Sequence, residues 1–247
     1  MKILLIPNNK KEHTAEVLQK TLEVIESYNT EYEILDLSDE TQTDNIKAKG
    51  DIILYIGGDG TFIRSARLAY RLGIPIVGIN TGKVGYLSKI APEDAEQKLV
   101  SLIKGEYEVV ETGVLSLKCD DKIIEPVIND AVFSATKLVD EFCVKQWDET
   151  VFKCCASAVA ISTAVGSTGL NKSAGGAVIM LGTDAVSITP VLAQSGDDYS
   201  LICQGNKTYT VSSNGQMQVS LDGEERFAID ENIEVRTAQK MLKVVKL

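Results

Sequence analysis

Apolar residues in the first 105 positions occur in two patterns, short continuous runs and longer stretches in which they recur every three or four residues. A continuous run predicts a buried strand of a parallel sheet, whereas the longer spacing predicts an amphipathic helix. The predicted strands are Lys2–Pro7, Tyr32–Leu37, Asp51–Ile56 and Ile74–Ile79. The predicted helices are one N-capped by Thr14, then Thr61–Leu72 and Pro92–Lys104. This alternation predicts an α/β fold with a doubly wound, mostly parallel sheet.

From about residue 107 the pattern changes to short strands in which polar and apolar residues alternate. Within Thr208–Leu221, Asn214-Gly215 separates two such runs, a pairing that favours a β-hairpin. We therefore predict two domains: an α/β domain at 1–106 and a β-rich domain at 107–247. The other predicted strands of the second domain are Val114–Lys118, Ile123–Glu125, Ala131–Ser134, Val159–Ser162, Arg226–Ile229 and Ile233–Arg236.

The charge balance narrows the possible partners. The chain has 25 basic and 35 acidic residues, a formal charge of −10. Such a chain repels nucleic acids and anionic membranes, so we expect neither as a partner. His13 is the single histidine, which excludes multi-histidine metal sites and disfavours a Ser–His–Asp triad. No set of protein metal ligands is expected.

The five cysteines and the first residues indicate the compartment. The cysteine number is odd and no CxxC pair occurs, which is typical of reduced packing residues. The start, MKILLIPNNKKEH, predicts a buried strand rather than a signal peptide. We therefore expect a cytoplasmic protein.

Two glycine-rich segments follow predicted parallel strands. Gly57-Gly58-Asp59-Gly60-Thr61 comes directly after Asp51–Ile56, and Asn80–Tyr86 comes after Ile74–Ile79. Glycines at such a strand end let backbone N–H groups approach a phosphate, so Gly57, Gly58 and Thr61 are candidate phosphate ligands. Asp59 could accept a proton from an attacking hydroxyl or hold a metal ion. The alternative for the first segment is a strand–helix turn with an N-capping Asp, and for the second it is an ordinary connecting loop.

Three further segments lie in the second half. Asn129-Asp130 pairs an amide with a carboxylate, and Asp222-Gly223-Glu224 follows an alternating run. Ser162–Gly176 holds four glycines and five hydroxyl side chains, which provide many hydrogen-bond groups with little bulk. That composition suits a loop around a dinucleotide. By themselves, the two shorter segments are more typical of simple turns.

Taken in order, these segments resemble the NAD kinase family. Gly57–Thr61 resembles its GGDGT signature, and Asn80–Leu87 its N-T-G-x-x-G-[FY]-L loop. Asn129-Asp130 resembles its N-[ED] pair, and Ser162–Gly176 its T-P-T-G-S-T-A-Y-x-x-S-x-G-G segment. Asp222-Gly223 resembles its late D-G turn.

The resemblance implies a kinase that phosphorylates the adenosine ribose 2′-hydroxyl of NAD to give NADP. Asp59 would be the proton acceptor, with Gly60 and Arg64 beside the dinucleotide. The donor would be ATP, another triphosphate or polyphosphate, with divalent Mg or Mn, and the enzyme would be a homodimer or homotetramer. Asn129 and Asp130 would hold the adenosine part of NAD. The residues implied to line the rest of the NAD site are Thr168, Gly169, Leu170, Asn171, Lys172 and Ser173.

Two departures from the family pattern leave other functions open. Ala156-Ser157 stands where the family usually has Asp-Gly, and Leu170 stands where it has Tyr. These changes favour, as one alternative, a catalytically weakened NAD(P)-binding regulator. The GGDGT signature also resembles that of diacylglycerol kinases, so a lipid kinase is a second alternative. A dinucleotide-dependent dehydrogenase is disfavoured, because no G-x-G-x-x-G follows the first strand.

Overall fold

The computed structural model describes residues 1–8, 12–37, 46–81, 90–229 and 232–247. Within them the chain divides into two compact units, Met1–Glu111 with Leu242–Leu247, and Thr112–Met241. The division predicted at 106/107 differs from these units in where it assigns 107–111 and the last six residues. Among the described helices, none has the length and hydrophobicity needed to cross a membrane.

The first unit contains a six-stranded sheet. Its order is β2-β1-β3-β4-β17-β5, and the β2–β1, β1–β3, β3–β4 and β4–β17 pairs are all parallel. The strands are β1 Lys2–Pro7, β2 Glu31–Ile34, β3 Ile52–Gly57, β4 Ile76–Asn80, β5 Glu108–Thr112 and β17 Leu242–Lys246. The final strand thus returns to the sheet that the first strands begin.

Helices cover both faces of this sheet. They are α1 Glu12–Ser27, α2 Asp59–Leu72 and α3 Ala95–Ile103, the last preceded by a 3₁₀ turn at Pro92–Asp94. Leu54 of β3 packs in one core with Ile25 of α1 and Leu99 of α3. Its neighbour Tyr55 points to the opposite face and meets Phe62 of α2 edge to face, with ring centroids 5.7 Å apart. The predicted doubly wound, mostly parallel sheet is confirmed.

The predicted N-cap of the first helix is wrong. Helix α1 begins at Glu12, so Thr14 lies inside its first turn, 1% exposed. Its hydroxyl oxygen is 3.4 Å from that of Thr81, which follows β4. A buried hydroxyl needs a polar partner, and the Thr81 hydroxyl provides one for Thr14, joining α1 to the end of β4.

The second unit is an antiparallel, strand-rich fold, as predicted. Its eleven strands follow the order β15-β14-β8-β10-β9-β13-β16-β6-β7, with β11 paired to β10 and β12 to β11. One short helix, α4 Leu170–Ser173, follows a 3₁₀ turn at Gly166–Thr168. The strands are β6 Leu115–Cys119, β7 Lys122–Val127, β8 Asp130–Ala135, β9 Asp140–Gln146, β10 Glu149–Ser162, β11 Ala185–Gly196, β12 Leu201–Gln204, β13 Tyr209–Ser213, β14 Met217–Leu221, β15 Glu225–Ile229 and β16 Ile233–Thr237.

The hairpin predicted at Asn214-Gly215 is wrong. Strands β13 and β14 on either side of it do not pair with each other; β13 pairs with β9 and β14 with β8. Because β8 and β9 both pair with successive parts of β10, β13 and β14 run end to end along them. Asn214 donates its backbone N–H to the Glu141 carbonyl at this junction. The Asn-Gly pair therefore separates two strands that run in the same direction, β13 and β14, and does not reverse the chain.

Candidate active site

In the first unit, two of the predicted segments begin at the same edge of the sheet. Gly57 at the end of β3 is the register partner of Asn80 at the end of β4. The Thr81 N–H donates to the Gly57 carbonyl at 3.1 Å. The shared edge is thereby confirmed for Asn80 and Thr81, while 82–87, including Lys83, lie outside the described residues.

The GGDGT segment forms the junction between β3 and α2. Gly58 is the N-cap of α2 in an extended conformation, and Asp59 is the first helical residue. A β-carbon at position 57 would overlap the Thr61 hydroxyl, so glycine is required there for close packing. The result is a tight turn that delivers Asp59 to the helix start.

Asn8, directly after β1, supports this junction and was not identified from the sequence. Its side-chain amide donates to Thr61 Oγ1 at 3.0 Å, and its backbone N–H donates to the Ile56 carbonyl at 2.9 Å. Thr61 is 4% exposed, so its hydroxyl is held inside the fold. The sequence offered one indication of this role, because Asn8 is a polar residue at the carboxyl end of β1, the parallel neighbour of β3.

Asp59, Gly60 and Arg64 lie in the first two turns of α2. Asp59 is half-buried and Gly60 is exposed in the first turn of α2, where backbone N–H groups lack helical partners and favour an anion. Half-buried Arg64 follows Gly60 by four residues and so lies on the same helix face. The arrangement supplies a carboxylate for proton transfer and a guanidinium for a negatively charged ligand.

In the second unit, Asp222 anchors the Asn129-Asp130 segment. Its carboxylate accepts backbone N–H groups from Ile128 at 3.0 Å, Asn129 at 2.6 Å and Asp130 at 3.4 Å. Its own N–H donates to the Asp130 carbonyl at 2.9 Å. Two segments that the sequence left separate are thus one structural element.

Asn129 and Asp130 open on a cleft of about 410 Å³. Asp130 is 7% exposed, and this burial, together with the nearby charge of Asp222, raises its pKa to about 7. The cleft combines carboxyl and amide groups with an apolar wall. Its other lining residues are Val132, Ser134, Leu170, Gln218, Val219, Ser220, Asp222 and Gly223.

The loop after β10 packs against the Asn129 backbone. Thr163 donates its N–H to the Asn129 carbonyl at 2.9 Å and its hydroxyl to the Ile128 carbonyl at 2.7 Å. A β-carbon at Gly166 would overlap that same Asn129 carbonyl. Glycine at 166 therefore lets the loop and the Asn129-Asp130 segment touch.

Asn171 locks the loop from within. It is fully buried, its amide donates to the carbonyls of Ser167 and Ala177, and its Oδ1 accepts from Thr189. The side chain has no surface left for a ligand. Of the loop residues implied as NAD contacts, Thr168 is half-buried, whereas Gly169, Leu170, Lys172 and Ser173 are exposed.

Ala156 occupies a core position. It is fully buried in β10 and packs in the main cluster of the second unit with Phe142 and Cys154. The next residue, Ser157, donates its hydroxyl to the Leu138 carbonyl at 2.8 Å. Position 156 therefore faces hydrophobic side chains, where a carboxylate would be unsolvated.

Two family models together span nearly the whole chain. Residues 4–107 match the model of the ATP-NAD kinase N-terminal domain, and residues 97–247 match that of the ATP-NAD kinase C-terminal domain. Among curated proteins, the NAD kinase of Bacteroides fragilis is 31% identical over 222 residues, covering 85% of this chain and 74% of the relative. The NAD kinase of Caldicellulosiruptor bescii is 26% identical over 254 residues, covering 100% of this chain and 94% of the relative.

Solved structures share the fold. An NAD kinase from Archaeoglobus fulgidus in complex with ATP superposes with a TM-score of 0.83 at 22% identity, covering 100% of this chain and 94% of that one. A yeast NADH kinase complexed with NADH gives a TM-score of 0.81 at 18% identity, covering 100% and 83%.

Proposed function

The chain belongs to the NAD kinase family, and from this premise we propose that it transfers the terminal phosphate of ATP to the adenosine ribose 2′-hydroxyl of NAD. The observation that carries the proposal is the position of Asp59. It begins α2 between two glycines, at the edge where β3 and β4 end together. A carboxylate at a helix start that also favours phosphate is suited to phosphoryl transfer.

In the proposed reaction, Asp59 accepts the proton of the ribose hydroxyl. The hydroxyl oxygen forms a bond to the terminal phosphorus of ATP, the bond from that phosphorus to the bridging oxygen breaks, and ADP leaves. Gly60 and Arg64 lie beside the dinucleotide on the same helix face. Gly57, Gly58 and Thr61 shape the phosphate side of the turn, Gly57 by leaving room for Thr61.

We assign the adenosine part of NAD to the cleft at Asn129 and Asp130. Asn129 Oδ1 is buried and has no hydrogen-bond partner among the described residues, so it is an acceptor that a bound amine would satisfy. Thr168, Gly169, Leu170, Lys172 and Ser173 supply the remaining contacts. We assign Asn171 a positioning role, because its amide is already engaged within the loop.

A divalent metal, Mg or Mn, completes the proposed reaction. Within the described parts of the chain, no three His, Cys, Asp or Glu side chains come together. This fits an ion held mainly by the phosphates of ATP, since Mg²⁺ in kinases uses one or two carboxylates plus substrate oxygens. When bound, the ion would neutralise charge on the transferring phosphoryl group.

Two further proposals concern the setting of the enzyme. We propose that it acts in the cytoplasm, where NAD and ATP are available. We propose a homodimer or homotetramer, which size-exclusion chromatography with light scattering would establish.

The decisive experiment is to incubate the pure protein with NAD, ATP and Mg²⁺ and to measure NADP. We expect NADP and ADP to form in equal amounts, and activity to disappear in excess EDTA and return with excess Mg²⁺. Parallel reactions with diacylglycerol as acceptor test the lipid-kinase alternative. Binding of NAD without turnover would instead indicate a regulator.

A further inference from the structure

We infer that Asp222 is a positioning residue for NAD binding, holding Asn129 and Asp130 in the geometry in which they meet the dinucleotide. The inference rests on the proposed function and extends it to a residue outside the GGDGT and Gly-Ser-Thr segments. It depends on hydrogen bonds between parts of the chain more than 90 residues apart.

The carboxylate of Asp222 does more than close a turn. One oxygen accepts the Ile128 N–H, and the other accepts the N–H groups of Asn129 and Asp130. A simple turn aspartate bonds to residues close in sequence, whereas these three donors lie 92 to 94 residues earlier. Asp222 is 8% exposed, so water competes little for these hydrogen bonds.

The backbone of the β14–β15 turn is bent to deliver this carboxylate. Asp222 has φ of 52° and Gly223 has φ of 77°, both left-handed. Asparagine and aspartate tolerate this region better than most residues. An Asn at 222 therefore keeps the backbone preference and size while it removes the charge and one acceptor.

The Asn129 backbone is consequently held from two sides. The Asp222 carboxylate accepts the Asn129 N–H, and the Thr163 N–H donates to the Asn129 carbonyl. With both peptide groups fixed, the amide and carboxyl side chains leave this segment toward the cleft in fixed directions. Loss of the Asp222 hydrogen bonds would make the Asn129-Asp130 segment more mobile. The contacts that position Asp59 lie in the other unit and would not change.

Asp222 also acts on Asp130 through its charge. Of the described residues lining the cleft, these two are the ionisable ones. Strand β10 contributes Ser162 opposite Asp130, and Glu224 of the same turn is exposed. Because the charge of Asp222 helps to raise the pKa of Asp130, an amide at 222 should lower that pKa.

The test is Asp222→Asn, with NAD kinase kinetics at saturating ATP and Mg²⁺. We expect KM for NAD to rise about 10–100-fold while kcat changes less than about threefold, the pattern of lost binding common to ground and transition states. We also expect the pH dependence of kcat/KM for NAD to move to lower pH. Unchanged KM and an unchanged pH profile, with only a lower Tm, would overturn the inference.

Asp120→Asn is the matched control. Asp120 lies in the turn between β6 and β7 with φ of 51°, but it is exposed. Its variant should keep the wild-type KM. If Asp222→Asn does not fold, Gly223→Ala strains the same turn and retains the carboxylate; a normal KM in that variant would count against the inference. Failure of the wild type to form NADP would reject the proposed function itself.

Discussion

Gly57 and Thr61 are packed so closely that no β-carbon fits between them. An added β-carbon at 57 would overlap the Thr61 side chain, whose hydroxyl is already held by Asn8. The contact fixes the angle at which β3 passes into α2. It also distinguishes this glycine from Gly60, three residues later, where an added β-carbon meets nothing within 4 Å.

This contrast predicts different results for two alanine variants. Gly57→Ala should lower Tm, because the helix start must shift. Gly60→Ala should keep or raise Tm, since alanine in a helix is favoured over glycine by up to about 1 kcal/mol. Yet Gly60→Ala should raise KM for NAD or ATP if the open side of this turn receives substrate. Thermal melts and kinetics on both variants check this; normal kinetics for Gly60→Ala would remove Gly60 from the site.

Asp59→Asn should reduce kcat about 10²–10⁴-fold, the range for loss of a general base. The two side chains are nearly the same size, so Tm and the affinity for NAD should stay close to wild type. Steady-state kinetics and calorimetric titration with NAD measure the two quantities separately. A near-normal kcat would exclude Asp59 as the proton acceptor.

Asp130 should make stability depend on pH in a defined direction. Its pKa is about 7 in the folded protein against an ordinary 3.8, so the native state keeps a proton that the unfolded chain has lost. Stability from this group therefore falls as pH rises between these values and is constant above them. Urea unfolding of wild type and Asp130→Asn from pH 4 to 8 should show the wild type losing stability relative to the variant. A wild type whose stability relative to the variant stays constant, or increases as the pH rises, would contradict the assignment.

Ala156→Asp should destabilise the second unit and leave KM for NAD no better. The family usually has an Asp here, but the Ala156 side chain faces a core with no exposed surface. A carboxylate buried there without a partner costs several kcal/mol or becomes protonated. Leu192→Asp, at an exposed position of the paired strand β11 with φ of 54°, is the control and should leave Tm nearly unchanged. Equal Tm for the two variants would show that position 156 is accessible to water and not part of the core.

The sequence predicted well those features that depend on local pattern. Continuous apolar runs located β1 and β3, and the glycines after β3 located the turn that carries Asp59. It could not predict which distant groups meet. The bonds from Asp222 to Asn129 and from Asn8 to Thr61 link residues 93 and 53 positions apart, and nothing local to either partner encodes the other.

The Asn214-Gly215 error has a similar cause. The dipeptide favours a reversal locally, but β13 and β14 each gain a full set of cross-strand bonds by running along β9 and β8. Longer-range pairing outweighed the turn preference. The composition of the Ser162–Gly176 loop likewise suggested ligand contacts throughout, whereas Asn171 is used entirely inside the protein.

The place of β17 between β4 and β5 bears on how the molecule is made. During synthesis the ribosome releases residues 112–241, a continuous unit, before the strand Leu242–Lys246 emerges. The sheet that carries the GGDGT turn therefore stays incomplete until a strand that follows the whole second unit in sequence has been synthesised, because β17 is the shared neighbour of β4 and β5. Completion of the first unit thus depends on synthesis of the second, so a chain that ended before β17 would lack a finished sheet even though it contains Asp59.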